Sequence, residues 1–191
     1  MASTISAGTS AGTAIAIAGD TSGNLAFQTS AGTYTQTMPN VTGTVMVSGN
    51  QPTFSAYVGS NQTIATGVTA KVQYSTKIWD TASAYDSTTN YRFTPLVAGY
   101  YQVNACIGWN SIANGECYLS IYKNGSEYKR GFDSANGSVA APFGSQANGL
   151  VYCNGSTDYI EMYAYNGTAG NRTIGAYNTV STFDACLVRT A

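Results

Sequence analysis

The stretch from Tyr85 to Ile107, YDSTTNYRFTPLVAGYYQVNACI, limits the possible folds more than any other part of the chain. Its second half alternates. Tyr101, Val103, Ala105 and Ile107 fall on one face of an extended chain, and Gln102, Asn104 and Cys106 on the other. A period of two is the mark of a half-buried β-strand. Ahead of it, a polar turn over 87–90 leads into a short predicted strand, Tyr91-Arg92-Phe93-Thr94. Pro95-Leu96-Val97-Ala98-Gly99 then predicts a tight reversal, because proline fixes φ and glycine tolerates positive φ.

The same signals recur beyond Pro52. Val68, Ala70, Val72 and Tyr74 alternate, and Lys77-Ile78-Trp79 is a further candidate strand. Cys117, Leu119 and Ile121 share one face of 116–122. Asn124-Gly125 is a two-residue hairpin signal, since both positions tolerate φ > 0, and 127–132 returns from it. Asn136-Gly137 and Asn154-Gly155 mark further turns. Leu150-Val151-Tyr152, 159–165 and 183–188 complete the predicted strands. Fifteen tyrosines and 21 glycines suit strands and turns rather than helices. Residues 52–191 are therefore expected to form an all-β, two-sheet jelly roll.

Composition narrows the function classes. Charged residues are 9% of the chain, against about a quarter in ordinary globular domains, so Ser, Thr, Asn, Gln and Gly must supply the polar surface. A net charge of −1 gives no basic field, so no nucleic-acid partner is expected. No apolar run approaches the roughly 20 residues of a membrane span, so no membrane partner is expected either. The absence of histidine excludes His-based triads and histidine general bases. Asp80, Asp86 and Asp158 read as turn and strand-end residues before they read as a catalytic pair or a calcium site. No enzymatic activity, metal or cofactor is expected. Cys106, Cys117, Cys153 and Cys186 form no CxxC pair. They read as buried thiols, with a Cys106–Cys117 disulfide as the alternative. Asn-x-Ser/Thr triplets begin at Asn40, Asn61, Asn124, Asn136, Asn154, Asn166 and Asn171. They are expected to stay unglycosylated, because residues 1–19 lack the basic start and long apolar stretch of an export signal.

Residues 1–51 differ in kind. Ser-Ala-Gly-Thr recurs at 6–9, 10–13 and 30–33, among few large side chains. Such a segment cannot build a core of its own. It is either a free linker or an extended N-terminal arm that orders only against neighbours, and the arm is the expectation, with Gln51-Pro52 as the boundary.

Tyr85-Asp86, Phe93-Thr94-Pro95 and Gly99-Tyr100-Tyr101 together resemble the signature of the complement subcomponent-q head family, which shares the tumour-necrosis-factor jelly roll. Phe54-Ser55-Ala56-Tyr57, Ile78-Trp79-Asp80, Asp158-Tyr159-Ile160 and Ser181-Thr182-Phe183 extend the resemblance over most of 53–189, as does Leu119-Ser120-Ile121-Tyr122-Lys123-Asn124-Gly125. The chain departs from the family at Tyr91, usually glycine, and Val103, usually phenylalanine. The resemblance implies a TNF-like β-sandwich, a homotrimer, and a core signature of Tyr85, Phe93, Pro95, Gly99 and Tyr101.

Asp20-Thr21-Ser22-Gly23-Asn24-Leu25 with Gln28-Thr29 resembles units of phage fibre and virion proteins. Met38-Pro39-Asn40-Val41-Thr42-Gly43-Thr44-Val45 is similar to a segment found before phage head or tip domains. These resemblances imply a non-enzymatic homotrimer on the surface of a phage virion, assembled in the host cytoplasm. The expected role is a capsid decoration or cement protein whose arm engages the major capsid protein or another virion protein. The alternative is a short fibre or tail-fibre tip that binds a host surface glycan. Tyr118, Tyr122, Tyr159, Tyr163 and Tyr165 alternate on their strands and are expected to form either the trimer seam or that glycan surface.

Overall fold

The computed structural model describes residues 25–28, 35–38, 51–110, 115–131, 134–135 and 143–191. Most of the expected arm, the Asn136-Gly137 turn and Phe132 lie outside the described residues. The chain divides into two units, Met1–Val45 and Met46–Ala191. In the first, β1 (Leu25–Gln28) and β2 (Thr35–Met38) pair antiparallel, Leu25 opposite Met38 and Gln28 opposite Thr35.

The second unit carries the remaining strands: β3 (Thr53–Tyr57), β4 (Gln62–Ile64), β5 (Val68–Lys71), β6 (Thr76–Asp80), β7 (Tyr85–Asp86), β8 (Arg92–Phe93), β9 (Ala98–Trp109), β10 (Gly115–Lys123), β11 (Ser126–Arg130), β12 (Ser134–Ala135), β13 (Phe143–Asn154), β14 (Ile160–Asn166), β15 (Arg172–Ile174) and β16 (Thr182–Thr190). They form two antiparallel sheets. One runs β4-β15-β9-β16-β3-β6, with β13 on the other side of β9. The other runs β11-β10-β14-β8-β7, with β12 on β10 and β5 on β14. Among the described residues no helix is long and apolar enough to cross a membrane.

Alternation builds this arrangement. In β9, Tyr101, Val103, Ala105, Ile107 and Trp109 are buried, while Tyr100 and Asn104 are exposed. Its full-length partner β13 buries Ser145, Ala147, Val151 and Cys153. Cys117, Leu119 and Ile121 of β10 and Ile160, Met162 and Ala164 of β14 face them from the second sheet. Aromatic rings fill one end of the core. Phe54 stacks on Tyr85 at 4.6 Å and packs edge-on to Phe183 at 4.8 Å, and Phe93 meets Tyr101 at 5.4 Å. Burial of such rings is the main stabilising term of a sandwich this poor in charge. Trp109, fully buried, donates its indole N–H to Ser145 Oγ at 2.8 Å.

Several sequence expectations change in detail. Gly99 lies inside β9 and is not at positive φ. Glycine is needed there because a Cβ would collide with the Arg189 carbonyl and the Leu187 side chain. The positive φ falls instead on Tyr91, at 50°, immediately before β8. That is the position at which the resembling family usually has glycine, and an L-residue is held there at a steric cost. The alternating run 68–74 is a strand only over Val68–Lys71; Val68 is exposed, whereas Val72 and Tyr74 turn into the core. The Asn124-Gly125 turn forms as expected, with φ of 52° and 79°. Leu150-Val151-Tyr152 is the end of the longer β13.

The cysteines divide by position. Cys117 and Cys153 are buried, Cys106 is half-buried and Cys186 exposed. Cys106 and Cys117 sit on different sheets, the first on the outward side of β9 and the second facing the core. Burial raises the Cys153 thiol to about 11. Asn166, the start of one Asn-x-Ser/Thr triplet, is fully buried.

Candidate functional site

The carboxylates considered for chemistry are occupied by turns. Asp80 accepts the amides of Ala84 and Tyr85 at 3.1 and 3.0 Å. Asp86 accepts the amides of Thr88, Thr89 and Asn90 together with the Thr88 hydroxyl and the Asn90 side-chain amide. The backbone bonds from Thr89 and Thr88 hold its carboxyl well below the usual range. Asp158 accepts from the Asn124 side chain at 2.7 Å, Lys123 at 2.9 Å and the Asn154 amide at 3.0 Å, and its carboxyl is likewise lowered. These groups fix loops.

The outward faces of the two sheets carry the remaining features, and register assigns residues to each, because directly paired residues point the same way. On the β9 sheet one row runs Trp79, Ser55, Asp184, Asn104, Asn148. The next runs Thr53, Cys186, Gln102, Leu150. Above it Tyr100 lies opposite Tyr152, their rings 5.4 Å apart. A register shift between Leu187 and Arg189 turns Val188 outward beside them. Leu150 is 47% and Val188 54% exposed, and Tyr100, Tyr152 and Trp79 are exposed as well. One end of this face thus gathers apolar and aromatic side chains, with the exposed Arg189 paired beside Tyr100, and its middle is a band of amides with a single carboxylate.

The five tyrosines singled out from the sequence all fall on or beside the other face, that of the β14 sheet. Its rows are Asp86, Arg92, Glu161, Tyr122, Glu127; then Lys71, Tyr163, Ser120, Arg130; then Thr69, Tyr165, Tyr118. Tyr118 stacks on Tyr165 at 4.8 Å and Tyr122 on Tyr163 at 4.1 Å. Arg130 lies 4.2 Å from the Tyr118 centroid and Arg92 4.0 Å from that of Tyr159. Burial raises the phenols of Tyr118, Tyr122 and Tyr163, so they remain neutral hydrogen-bonding groups. Much of the ring-face area is therefore covered by neighbours, and ring edges and hydroxyls are what these side chains offer.

Of the core signature, Tyr85, Phe93, Pro95, Gly99 and Tyr101 are all buried. Burial raises Tyr101 to about 12, and its hydroxyl donates to the Val97 carbonyl at 2.8 Å. The sequence reading did not single out Tyr100, Leu150, Tyr152 and Val188. The signal was present at Tyr100-Tyr101: adjacent aromatics in an alternating strand cannot both face the core.

No family model matches the chain, and no curated protein matches it. Solved structures do. Eiger TNF of S. frugiperda superposes with a TM-score of 0.55 at 13% identity, over 74% of this chain and 93% of that one. The globular domain of zebrafish complement 1qA gives 0.53 at 16%, over 73% and 99%. The fold is a TNF-like jelly roll. Murine APRIL superposes on the same share of the chain, 73%, and over 100% of its own length, with a TM-score of 0.57 at 8% identity. The TNF-like architecture is thus reached with few shared residues, as expected when alternation and turn positions, rather than particular side chains, specify a sandwich.

Proposed function

We propose that this chain is a non-enzymatic homotrimeric structural protein of a phage virion surface, a capsid decoration protein held to the particle by residues 1–51. The observation that carries the trimer is the apolar end of the β9-sheet face. Tyr100, Leu150, Tyr152 and Val188 lie exposed together there, although the sandwich has a complete core of its own. Clustered exposed apolar side chains on a chain this poor in charge favour association. In the proposed trimer this face meets its copies, and the band of Gln102, Asn104, Asn148 and Asp184 fixes register by hydrogen bonding, since an unpaired amide or carboxylate in a dry seam is costly. The phage-like segments around Asp20 and Met38 support the virion setting, and the engagement of Asp80, Asp86 and Asp158 in turns supports a non-catalytic role.

Light scattering on the full chain tests the assembly. The mass of three chains is expected for the wild type and one for Leu150→Glu, with far-ultraviolet circular dichroism unchanged. A wild-type monomer at micromolar concentration, or a trimer indifferent to Leu150→Glu, refutes this seam. Antibody labelling of intact particles then tests location: regular label over the head supports decoration, and label confined to the tail refutes it.

A further inference from the structure

A threefold ring joins unlike surfaces: each copy offers one patch to the copy on its left and a different patch to the copy on its right. The Tyr100, Leu150, Tyr152 and Val188 end of the β9-sheet face supplies one patch, and symmetry requires a second. Beside residues 99–105 of β9 that sheet runs β13-β9-β16-β3-β6, so β13 and β6 are its two borders. Leu150 and Tyr152 stand on β13. On β6 stand Ile78 and Trp79, 53% and 49% exposed. The other exposed large apolar side chains among the described residues lie on the second sheet, Val68 and Tyr128, or in loops, Leu96 and Val180. Trp79 shares its row with Ser55 and Asp184, and a register shift leaves Ile78 as an extra residue beside it. The indole N–H of the buried Trp109 is bonded to Ser145, whereas Trp79 donates to no group among the described residues. Lys77 and Asp80 flank Trp79 and pair with each other at 3.5 Å, so β6 brings no net charge.

We propose that Trp79, with Ile78, is the second half of the seam and packs on the Leu150–Tyr152 end of the next copy. The inference rests on the trimer reading above. Within one copy the two patches cannot meet, because four strand spacings, about 19 Å, separate their columns. Three sheets that turn one face to a common axis, however, set the β6 border of each beside the β13 border of the next. The row of Trp79 is one same-face step, about 7 Å, from the row of Leu150, which an indole can span. Arg189 stands exposed beside Tyr100 in the receiving patch, and tryptophan is the preferred ring for a guanidinium. A tryptophan that loses its water in this way is a common anchor of an interface.

Cross-linking tests the pairing. In a Cys186→Ser background, the double variant Trp79→Cys/Leu150→Cys is treated with a short bismaleimide. Species of two and three linked chains are expected on denaturing gels. Neither single variant should give them, because position 79 meets position 150 of its neighbour and not its own copy. Should the double variant fall to a monomer, iodide quenching of the unaltered chain decides. Trp109 is buried in the monomer itself, so accessible emission reports Trp79, which should be quenched several-fold less in the trimer than in Leu150→Glu. Trp79→Ala should raise the concentration of half-dissociation roughly tenfold or more. A wild-type monomer overturns the trimer and this pairing together. The pairing alone is overturned, with the trimer left standing, if the trimeric double variant does not link or the single variants link as fast. Trp79 quenched as readily in the wild-type trimer as in Leu150→Glu, or affinity unchanged by Trp79→Ala, overturns it equally.

Discussion

Asn166→Ala should be among the most damaging single changes to this fold, although position 166 reads in sequence as a chance Asn-Gly-Thr triplet. The side chain is fully buried at the end of β14. Its amide nitrogen donates to the Ile64 and Gly170 carbonyls, both at 3.0 Å. Its oxygen accepts the Thr168 amide at 3.1 Å and the Thr168 hydroxyl at 2.7 Å. Ile64 belongs to β4 of the opposite sheet, so this one amide ties the two sheets together at that end. Four hydrogen bonds, three of them buried, at about 1 kcal/mol each give a loss of roughly 4 kcal/mol, with the orphaned Thr168 amide adding to it. With a urea m-value of about 2 kcal/mol/M, the midpoint should fall by about 2 M at fixed protein concentration. Thr168→Val removes one of the four bonds and also the acceptor of Arg172 Nε at 2.8 Å, so it should cost about 2 kcal/mol, and the double variant should lose less than the sum because the two residues are bonded to each other. A loss under about 1 kcal/mol for Asn166→Ala would mean that water replaces the amide and that the tie is not structural.

Other consequences are equally direct. Tyr91 has a φ of 50°, so Tyr91→Gly should be more stable than Tyr91→Ala by about 1 kcal/mol, the reverse of the usual order within strands; differential scanning calorimetry of the pair checks this. The carboxyls of Asp86 and Asp158 are lowered in the folded state, so their contribution is complete above the ordinary carboxylate range near pH 4 and is lost as pH falls through the lowered values. Denaturation midpoints measured from pH 6 to pH 2 should decline, and Asp86→Asn should flatten the decline. Cys153 should resist alkylation at pH 8 until the protein unfolds, because it is buried and its thiol is raised to about 11. Cys186 lies in the same row as Leu150, with Gln102 between them, so mass spectrometry should find it alkylated faster in Leu150→Glu than in the wild type if that face is the seam.

The sequence by itself determined the class of fold, because the information is local. Alternation in 101–107 and in 117–121 and the Asn124-Gly125 turn each depend on one or two neighbours, and all took the expected form. The signature residues Tyr85, Phe93, Pro95, Gly99 and Tyr101 are buried in the structure. The reason for Gly99 was not legible, since it lies in the approach of the Arg189 carbonyl some ninety residues further on. Nor was the cost at Tyr91, which appears only once the chain must turn into β8.

The candidate sites divided in the same way. Alternation put Tyr159, Glu161, Tyr163 and Tyr165 on one face, but which strands flank that face is a matter of pairing between residues about 40 to 100 positions apart. Tertiary structure alone brought Lys71 and Arg92 onto Glu161, stacked Tyr118 on Tyr165, and set Tyr100, Leu150, Tyr152 and Val188 side by side on the opposite sheet. A strand carries in its own residues which side chains share a face; which other strands complete that face is fixed only when the sheet closes its hydrogen bonds.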